Sequence, residues 1–402
     1  MADISRKQIV LGVTGGIAAY KAAELTRELQ RRGLDVQVVM TRAAGSLVAP
    51  ATFQALSGRP VFSDLWDPRI ADNMGHIELS RGKNLIVVAP ASANFLAKIA
   101  NGLADDLLST LCLARECPLL VAPAMNRQMW DNAATRRNVE QLARDGVMLL
   151  GPASGDQACG ETGFGRMLEP LEIADAVVAQ LTPKLLRGVR VLITAGPTFE
   201  PIDAVRAITN RSSGKMGYAI ARAALDAGAR VSLVSGPVSL PVPAGAEIVH
   251  AETAAHMFDA VKRQVPRADI YVGVAAVADY RVDKPRVHKI KKTDKRQLQL
   301  RLVPNPDILG WVASRAKPPF SVGFAAESRN LDAYADAKRR RKKVNMMVAN
   351  LAQDAIGADD NEVMVLDDKG KHQFARAPKD VVARQLIAHI ARLYAAKKKR
   401  SA

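Results

Sequence analysis

Aromatic side chains are scarce in this chain, and cysteines are scarcer still. Only 4% of the 402 residues are Phe, Trp or Tyr, so a stacking surface for single-stranded nucleic acid is poorly supplied. The three cysteines, Cys112, Cys117 and Cys159, are too few for a disulfide framework, and no Cys-x-x-Cys pair is present to bind zinc. These scarcities argue against a disulfide-stapled or zinc-ribbon architecture and predict a reduced, cytoplasmic setting.

Long hydrophobic runs are absent as well. No apolar stretch approaches the roughly 20 residues that cross a bilayer, and Met1 to Lys7 is short and polar, so we expect neither a membrane anchor nor a signal peptide. What is present is an ordinary globular composition, 48% hydrophobic, with a net charge of +17. The length predicts two or three domains, and the charge predicts an anionic partner, either a polyanion or an acidic small molecule.

The first half begins with a βαβ pattern. Gln8–Thr14 is a continuous apolar run, the pair Gly15-Gly16 follows it, an alanine-rich helix runs to about Arg32, and Asp35–Met40 repeats the strand pattern. A glycine turn between a parallel strand and a helix N-terminus is where α/β folds hold phosphates. The start of the chain therefore predicts a nucleotide-type or flavin-type site at a sheet edge.

Two further strand patterns of the first half end in polar residues. Asn84–Val88 precedes a segment with Ser92 and Asn94, whose hydroxyl and amide groups suit a flat polar ligand such as a flavin. Leu119–Ala122 precedes Asn126, and an amide there has the donors and the acceptor to fix a carboxylate.

Cys159 lies in a glycine-dense segment, whereas His76 stands apart from other metal-ligand types. Glycines around Cys159 predict a flap that folds over a ligand, with the thiol acting as an acid or a nucleophile rather than as core packing. His76 has no second His or Cys nearby, so a structural hydrogen bond and acid/base chemistry are both open for it.

The second half restarts a parallel-sheet pattern after a boundary at residues 182–188, and it predicts another doubly wound α/β fold. Its central segment ends a strand at Ala195 and opens a helix after the run Asn210 to Lys215. Small residues and the cations Arg211 and Lys215 predict a phosphate cradle there. The predicted strands are Val189–Ala195, Arg230–Ser235, Ile248–Ala251, Ile270–Val274, Phe320–Phe324 and Met346–Ala349.

Acidic and basic residues follow these later strands. Asp279 ends a run of small residues, a setting that suits a nucleobase, a ribose or Mg²⁺. The basic run Lys284–Lys292 is either a solvated charge run or part of a site. Lys338 and Lys342 lie four residues apart on a predicted helix, so they share a face that suits a triphosphate. Together these residues predict nucleotide-dependent activation of an acid.

Motifs along nearly the whole chain carry a family resemblance. In the first half, GGIAAYK from Gly15, PASANFLAKIANGLADDLLST from Pro90, PAMNRQMW from Pro123 and ACGETGFGRM from Ala158 resemble the flavin-dependent cysteine decarboxylases. In the second half, ITAGPTFEPIDAVRAITNRSSGKMG, AAVADYRV, KIKK, NPDI and GFAAES resemble phosphopantothenate–cysteine ligases. The chain thus resembles the bacterial bifunctional decarboxylase/ligases of coenzyme A biosynthesis, with a flavodoxin-like decarboxylase domain at 1–184 and a Rossmann-like ligase domain at 185–402.

For the first domain, the resemblance implies an FMN-dependent oxidative decarboxylation of phosphopantothenoylcysteine to 4′-phosphopantetheine. His76 matches the histidine needed for the decarboxylation, Asn126 the residue that grips the substrate carboxylate, and Cys159 the proton donor of the final reduction. Family members form trimers, and bifunctional ones assemble into dodecamers. The implied FMN-binding residues are Gly15, Gly16, Thr41, Ser92, Asn94, Asp105 and Ser109.

For the second domain, the resemblance implies that CTP and Mg²⁺ activate 4′-phosphopantothenate as an acyl-cytidylate, which the cysteine amine then attacks. Asn210 matches a contact to the acyl-cytidylate, Lys289 acts in its formation, and Asp279 is the implied metal ligand. No nucleic acid or membrane is an expected partner. The implied CTP-binding residues are Ala275, Asp279, Lys289, Asn305, Pro306, Asp307, Ile308, Phe324, Lys338 and Lys342.

Two other functions remain open from the residues themselves. The charge of +17 and the basic run Lys284–Lys292 also suit a nucleic-acid-binding protein with a vestigial flavodoxin-like domain, although no nucleic-acid motif is present. Decarboxylation of the C-terminal cysteine of a peptide would use the same first domain, but it would leave the second domain without a role.

Overall fold

The chain folds into two compact units, with the boundary between Thr182 and Pro183. The computed structural model describes residues 4, 7–70, 74–291, 298–327, 331–351 and 357–401. Each unit is an α/β fold with hydrophobic clusters of its own. Among the described residues, no helix is both long enough and apolar enough to span a membrane.

The first unit is built on a parallel five-stranded sheet with the order β2-β1-β3-β4-β5. This is the flavodoxin-like order, as the sequence predicted. An antiparallel hairpin, β6-β7, lies outside the sheet. The strands are β1 (Gln8–Val13), β2 (Asp35–Met40), β3 (Leu85–Ala91), β4 (Leu119–Pro123), β5 (Met148–Leu149), β6 (Ala153–Asp156) and β7 (Thr162–Arg166).

Both faces of this sheet are covered, as the uninterrupted apolar run of β1 requires. Ile9 and Leu11 belong to a cluster that includes Leu25 of the first helix, whereas Val10 belongs to a cluster with Leu96 and Leu108. The helices are α1 (Lys21–Arg31, after a 3₁₀ turn at Ile17–Tyr20), α2 (Arg42–Gly45), α3 (Pro50–Ser57), α4 (Gly75–Ser80), α5 (Ala93–Ala100), α6 (Leu107–Leu113), α7 (Arg127–Asp131), α8 (Ala133–Arg144) and α9 (Pro170–Leu181).

The second unit has an eight-stranded sheet with the order β12-β11-β8-β13-β16-β17-β18-β19. Its first six strands are parallel and follow the Rossmann order, and β18 and β19 extend the edge antiparallel. The strands are β8 (Arg190–Ala195), β9 (Phe199–Pro201), β10 (Ala207–Thr209), β11 (Arg230–Ser235), β12 (Glu247–His250), β13 (Ile270–Gly273), β14 (Tyr280–Val282), β15 (Leu302–Pro304), β16 (Phe320–Glu327), β17 (Met346–Leu351), β18 (Asp360–Asp367) and β19 (Gly370–Pro378).

The closing helix of the second unit belongs to its largest core. Ala383 and Ile390 of this helix share a cluster with Tyr218 and Ala221 of the helix after the predicted phosphate cradle. The helices are α10 (Lys215–Asp226), α11 (Ala254–Gln264, followed by a 3₁₀ turn at Val265–Arg267), α12 (Ile308–Ala313), α13 (Leu331–Lys342) and α14 (Lys379–Ser401).

Candidate functional sites

The crevice of the first unit lies where the sheet order reverses, between β1 and β3. Thr14 is buried at the end of β1; its hydroxyl donates to the Pro90 carbonyl at 2.8 Å and accepts from the Ser92 N–H at 2.9 Å. Thr14 therefore holds the Gly15-Gly16 turn beside the Ser92 turn at the carboxyl edge of the sheet.

The two glycines of this turn face different surroundings. A Cβ on Gly15 would lie 2.5 Å from the Ala43 Cβ, whereas a Cβ on Gly16 would meet no atom within 4 Å. Thr41 lies next to this turn because its N–H donates to the Val13 carbonyl at 3.0 Å. Gly15 thus permits close packing, and Gly16 leaves open space.

A cavity of about 630 Å³ opens at this edge and brings together five predicted residues, Gly15, Gly16, Ser92, Asn126 and Cys159. They come from four separate segments of the first unit, so the fold assembles them. A cavity of this volume is within the usual range for cofactor sites.

Asn126 is the N-cap of α7. Its Oδ1 accepts from the Met129 N–H at 3.1 Å, and its Nδ2 donates to Gln128 Oε1 at 2.8 Å. Gln128 Nε2 donates in turn to Glu161 Oε1 at 2.5 Å. The amide of Asn126 is therefore held in one orientation by two partners on α7, and one of them, Gln128, is itself fixed by the β6-β7 hairpin.

The segment around Cys159 is the turn of the β6-β7 hairpin, and its glycines let that hairpin pack tightly. Gly165 has a φ of +130°, and a Cβ there would lie 2.4 Å from the Met125 carbonyl oxygen. Cys159 is exposed, and its thiol donates to Glu161 Oε2 at 3.7 Å. The thiol thus lies at the tip of the hairpin, on the wall of the cavity.

Two cations on the cavity wall share one carboxylate. Lys21 Nζ lies 2.9 Å from Glu169, and Arg166 Nη2 lies 2.7 Å from the same Oε1 atom. The hydrogen bond from Lys21, with a smaller contribution from Arg166, holds the pKa of Glu169 below its ordinary value. Neither cation was assigned a role from the sequence.

Besides Thr41, four predicted residues of the first unit do not line the cavity. His76 lies on α4, half-buried, and its Nδ1 is buried without a hydrogen-bond partner among the described residues. Asn94 is exposed on α5. Asp105 pairs with Lys98 at 2.6 Å, and the buried Ser109 forms a capping box with Asp106 at the start of α6.

The crevice of the second unit lies between β8 and β13, where its own order reverses. Asn210 Nδ2 donates to the Ala276 carbonyl at 2.9 Å, and the buried Thr198 hydroxyl accepts from the Ala278 N–H at 3.0 Å. These bonds join the segment after β8 to the segment after β13, which contains Ala275.

The antiparallel pair β14-β15 brings Asp279 and Asn305 together. The Asn305 N–H donates to the Asp279 carbonyl at 2.8 Å, and Asn305 Nδ2 donates to the Ala278 carbonyl at 2.9 Å. The carboxylate of Asp279 is exposed, and Pro306 follows Asn305 directly. One exposed carboxylate suits Mg²⁺ that is held mainly by phosphates and water.

Asp307 and Lys342, both predicted nucleotide residues, form an ion pair. Lys342 Nζ lies 2.8 Å from Asp307 Oδ1, and Asp307 also caps α12, which begins at Ile308. Burial opposes ionisation of Asp307, yet the hydrogen bonds from Lys342 and Gly310 keep its pKa below the ordinary value.

The remaining predicted residues of the second unit lie on three segments. Phe324 is half-buried on β16, and Lys338 is half-buried one helical turn before Lys342 on α13. Lys289 is exposed in an ordered segment that has no strand character, and Lys292 lies outside the described residues.

The predicted phosphate cradle is a turn that leads into α10. Gly214 caps this helix with a φ of +76°, and its N–H donates to the Ser212 hydroxyl at 3.3 Å. Lys215 Nζ pairs with Asp359 at 2.5 Å.

Comparison with known proteins agrees with this division into two units. Residues 2–182 match the Flavoprotein family model, and residues 186–394 match the model of the DNA/pantothenate metabolism flavoprotein C-terminal domain. The chain is 46% identical over 405 residues to the coenzyme A biosynthesis bifunctional protein CoaBC of Escherichia coli (strain K12), covering 99% of this chain and 100% of that protein. The chain belongs to the family of coenzyme A biosynthesis bifunctional proteins.

Other members of this family and two solved structures are also similar. The CoaBC proteins of Vibrio parahaemolyticus and Bacillus subtilis are 46% and 42% identical over 96% and 97% of this chain, and over 98% of each relative. A crystal structure of the C-terminal domain of CoaBC is 39% identical, covers 52% of this chain and 97% of that one, and has a TM-score of 0.46. The FMN-dependent cysteine decarboxylase SpaF is 31% identical, covers 43% and 97%, and has a TM-score of 0.38.

Some residues that organise the sites of this coenzyme A biosynthesis protein had no role in the sequence analysis. The sequence indicates Thr14 and Thr198 only as parts of strands or turns, because their hydroxyls form hydrogen bonds with loops that are distant in sequence. The position of Lys21 in the sequence could have indicated its ion pair. A cation in the first turn of a helix opposes the helix dipole, so its position points to an anionic partner, here Glu169.

Proposed function

We propose that the chain, a bifunctional enzyme of coenzyme A biosynthesis, catalyses two consecutive steps. The second unit joins 4′-phosphopantothenate to cysteine at the expense of CTP, and the first unit decarboxylates the resulting phosphopantothenoylcysteine to 4′-phosphopantetheine. The observation that carries the proposal is the cavity at the β1 and β3 ends, to which separate segments contribute Gly16, Asn126 and Cys159. Its glycines suit a cofactor, and its amide and thiol suit the substrate.

In the first unit we assign FMN to the cavity beside Gly15, Gly16, Thr41 and Ser92. Open space at Gly16 supports this fit, because nothing in the protein fills the position of its missing Cβ. Bound FMN supplies a hydride acceptor and donor. Further predicted contacts are Asn94, Asp105 and Ser109.

The chain's own residues then orient the substrate and move a proton. One Asn126 amide hydrogen is used by Gln128, which leaves the second for the substrate carboxylate. Cys159, whose Sγ lies 3.7 Å from Glu161 Oε2, delivers a proton in the last step. His76, whose Nδ1 has no hydrogen-bond partner among the residues that the structure describes, acts in the decarboxylation.

In the second unit we assign CTP to the crevice formed by Ala275, Asp279, Phe324 and the segment from Asn305 to Ile308. Lys289, Lys338 and Lys342 stabilise the phosphates, including the departing pyrophosphate, through their charge. Mg²⁺ joins Asp279 to those phosphates. Asn210 holds the acyl-cytidylate while the cysteine amine attacks and CMP leaves.

We also propose a cytoplasmic homo-oligomer with trimeric decarboxylase units in a dodecamer, as the family resemblance implies. Exposed apolar side chains near the cavity, Ile17, Tyr20, Met129 and Phe164, support a covered surface there. Light scattering of the purified chain measures the assembly directly.

One reaction tests both steps. The purified chain is incubated with 4′-phosphopantothenate, cysteine, CTP and Mg²⁺, and CMP, pyrophosphate and the mass of the pantothenoyl product are measured. We expect a yellow protein, CMP formation and a product that has lost CO₂. Accumulation of phosphopantothenoylcysteine would refute the decarboxylase half, and absence of CMP would refute the ligase half.

A further inference from the structure

The basic segment that contains Lys289 is exposed, yet it is held at defined points. Residues 284–289 are all exposed, and Val287 is 82% exposed. The Arg286 N–H donates to the Ile202 carbonyl at 3.0 Å, and the Ile290 N–H donates to Asp203 Oδ2 at 3.0 Å. The segment is thus bound to one turn, between β9 and β10.

Asp203 is the centre of this attachment. Its side chain has no exposed surface and accepts from five N–H groups, which belong to Val205, Arg206 and Ile290. Arg206 Nη2 also donates to the Ile290 carbonyl at 2.9 Å. Both backbone polar groups of the residue after Lys289 are therefore held by one ion pair, in which Asp203 is buried and Arg206 is 45% exposed.

The turn with Asp203 is itself fixed to the fold at both ends. In β9, the buried Glu200 accepts from the Ala254 N–H at the start of α11 at 2.9 Å. After β10, Asn210 donates to Ala276 in the crevice. The position of Lys289 is thereby tied to the same short hairpin that carries Asn210.

We propose that Asp203 is a positioning residue for the ligase reaction, which fixes Lys289 for the CTP phosphates through Ile290. The inference rests on the proposed function of Lys289. A lysine on an exposed segment loses conformational entropy when it binds phosphate. A hydrogen bond that fixes the backbone of the next residue before CTP binds reduces this entropy loss. The Asp203 side chain has no exposed surface with which to contact a substrate.

The test measures ligase kinetics in the full chain with the variants Asp203→Asn, Lys289→Gln and the double variant. We expect Asp203→Asn to lower kcat/KM for CTP between about 10-fold and 100-fold, with the KM for cysteine unchanged. The double variant should have the same kcat/KM for CTP as Lys289→Gln alone, because Asp203 acts through Lys289. If Asp203 were only structural, Asp203→Asn would lower kcat/KM for CTP by the same factor in the parent and in Lys289→Gln.

Asp269→Asn is the matched control. Asp269 also accepts a backbone N–H, from Arg190 at 2.8 Å, and pairs with the Arg190 side chain, but it lies at the amino edge of the sheet. It should leave the KM for CTP unchanged. If Asp203→Asn does not fold, Ile290→Pro removes the donor from the exposed segment, and it should reproduce the loss.

The outcomes separate this inference from its premise. Full activity of Lys289→Gln would overturn the proposed role of Lys289 and the inference with it. A low activity of Lys289→Gln together with an unchanged kcat/KM for CTP in Asp203→Asn or Ile290→Pro would overturn the positioning role alone.

Discussion

Gly15 and Gly16 are adjacent, but their missing side chains serve different purposes. Gly15→Ala places a methyl group 2.5 Å from the Ala43 Cβ and should destabilise the first unit by about 1–3 kcal/mol. Gly16→Ala meets no protein atom and should leave the stability of the FMN-free protein unchanged while lowering its FMN content. Thermal unfolding without FMN and flavin absorbance after reconstitution measure the two effects. Equal FMN content in Gly16→Ala and the parent would contradict the assigned site.

Cys159 and Cys117 allow the proton-donor role to be tested with a control. Cys159→Ser replaces the exposed thiol by a much weaker acid, so decarboxylation should proceed while the final reduction slows by about 100-fold or more. The half-buried Cys117 is not on the cavity, and Cys117→Ser should retain parental turnover. Mass analysis of quenched reactions shows whether the oxidised, decarboxylated product accumulates. Normal formation of 4′-phosphopantetheine by Cys159→Ser would exclude the role.

Among larger elements, the last hairpin and α14 are joined by a polar cluster of Asp367, His372 and His389, in which His372 is partly exposed and the other two are buried. His389 Nε2 lies 2.6 Å and His372 Nε2 lies 3.2 Å from Asp367 Oδ2. Arg392 donates to His389 Nδ1 at 2.8 Å, so the ring proton of the neutral His389 is on Nε2 and faces Asp367. In this tautomer the arrangement is a hydrogen-bonded contact between the hairpin and α14.

The stability of the second unit should therefore depend on pH through His389. Burial holds the pKa of His389 below its ordinary value of 6.5 despite the hydrogen bond to Asp367. The unfolded chain takes up a proton near pH 6.5 and the folded one does not, so stability falls as pH decreases through that value. Asp367, whose pKa is also below its ordinary value, adds a loss only below about pH 4.

Urea unfolding between pH 7.5 and 5.5 measures this dependence. Trp311 reports on the second unit alone if Trp66 and Trp130 are first replaced by Phe. The His389→Gln variant should show a flatter profile, because glutamine does not titrate. The same slope in parent and variant would assign the pH dependence to other groups.

The sequence predicted the parallel strands better than the elements around them. Asp35–Met40 and Arg230–Ser235 have the predicted bounds, because a buried parallel strand is an uninterrupted apolar run between polar turns. Strands β18 and β19 were missed, since an edge hairpin has one solvated face. Helix α6 begins at Leu107, because Asp106 supplies the cap, so Asp105 lies outside the helix.

The same reasoning explains which site residues could be found. Asn126 lies just after the end of a parallel strand, where α/β folds hold ligands, so its position along the chain indicated it. The role of Asn210 was predicted through the family resemblance. Asp203 could not be found this way, because its function depends on Ile290, which is 87 residues away. His76 was predicted through the family resemblance, and its place on α4, off the cavity, was not.

In the part of the chain that the structure describes, every hydrophobic cluster belongs to a single unit. Two of the five clusters lie within 4–181, and the other three lie within 186–391. Residues 1–182 and 183–402, expressed separately, should therefore each unfold cooperatively. We expect FMN only in the first piece and CTP-dependent pyrophosphate release only in the second. Circular dichroism and the two assays decide this, and a piece without a cooperative transition would show that the units need each other to fold.

The boundary at Thr182 and Pro183 has a consequence for the cell. Because both units are translated as one polypeptide, each ribosome that completes a ligase has already made a decarboxylase. The ratio of the two active sites is set at one to one by the gene, whatever its level of expression. Any imbalance between the two fluxes must then be corrected by the turnover numbers of the sites and not by the abundance of the protein.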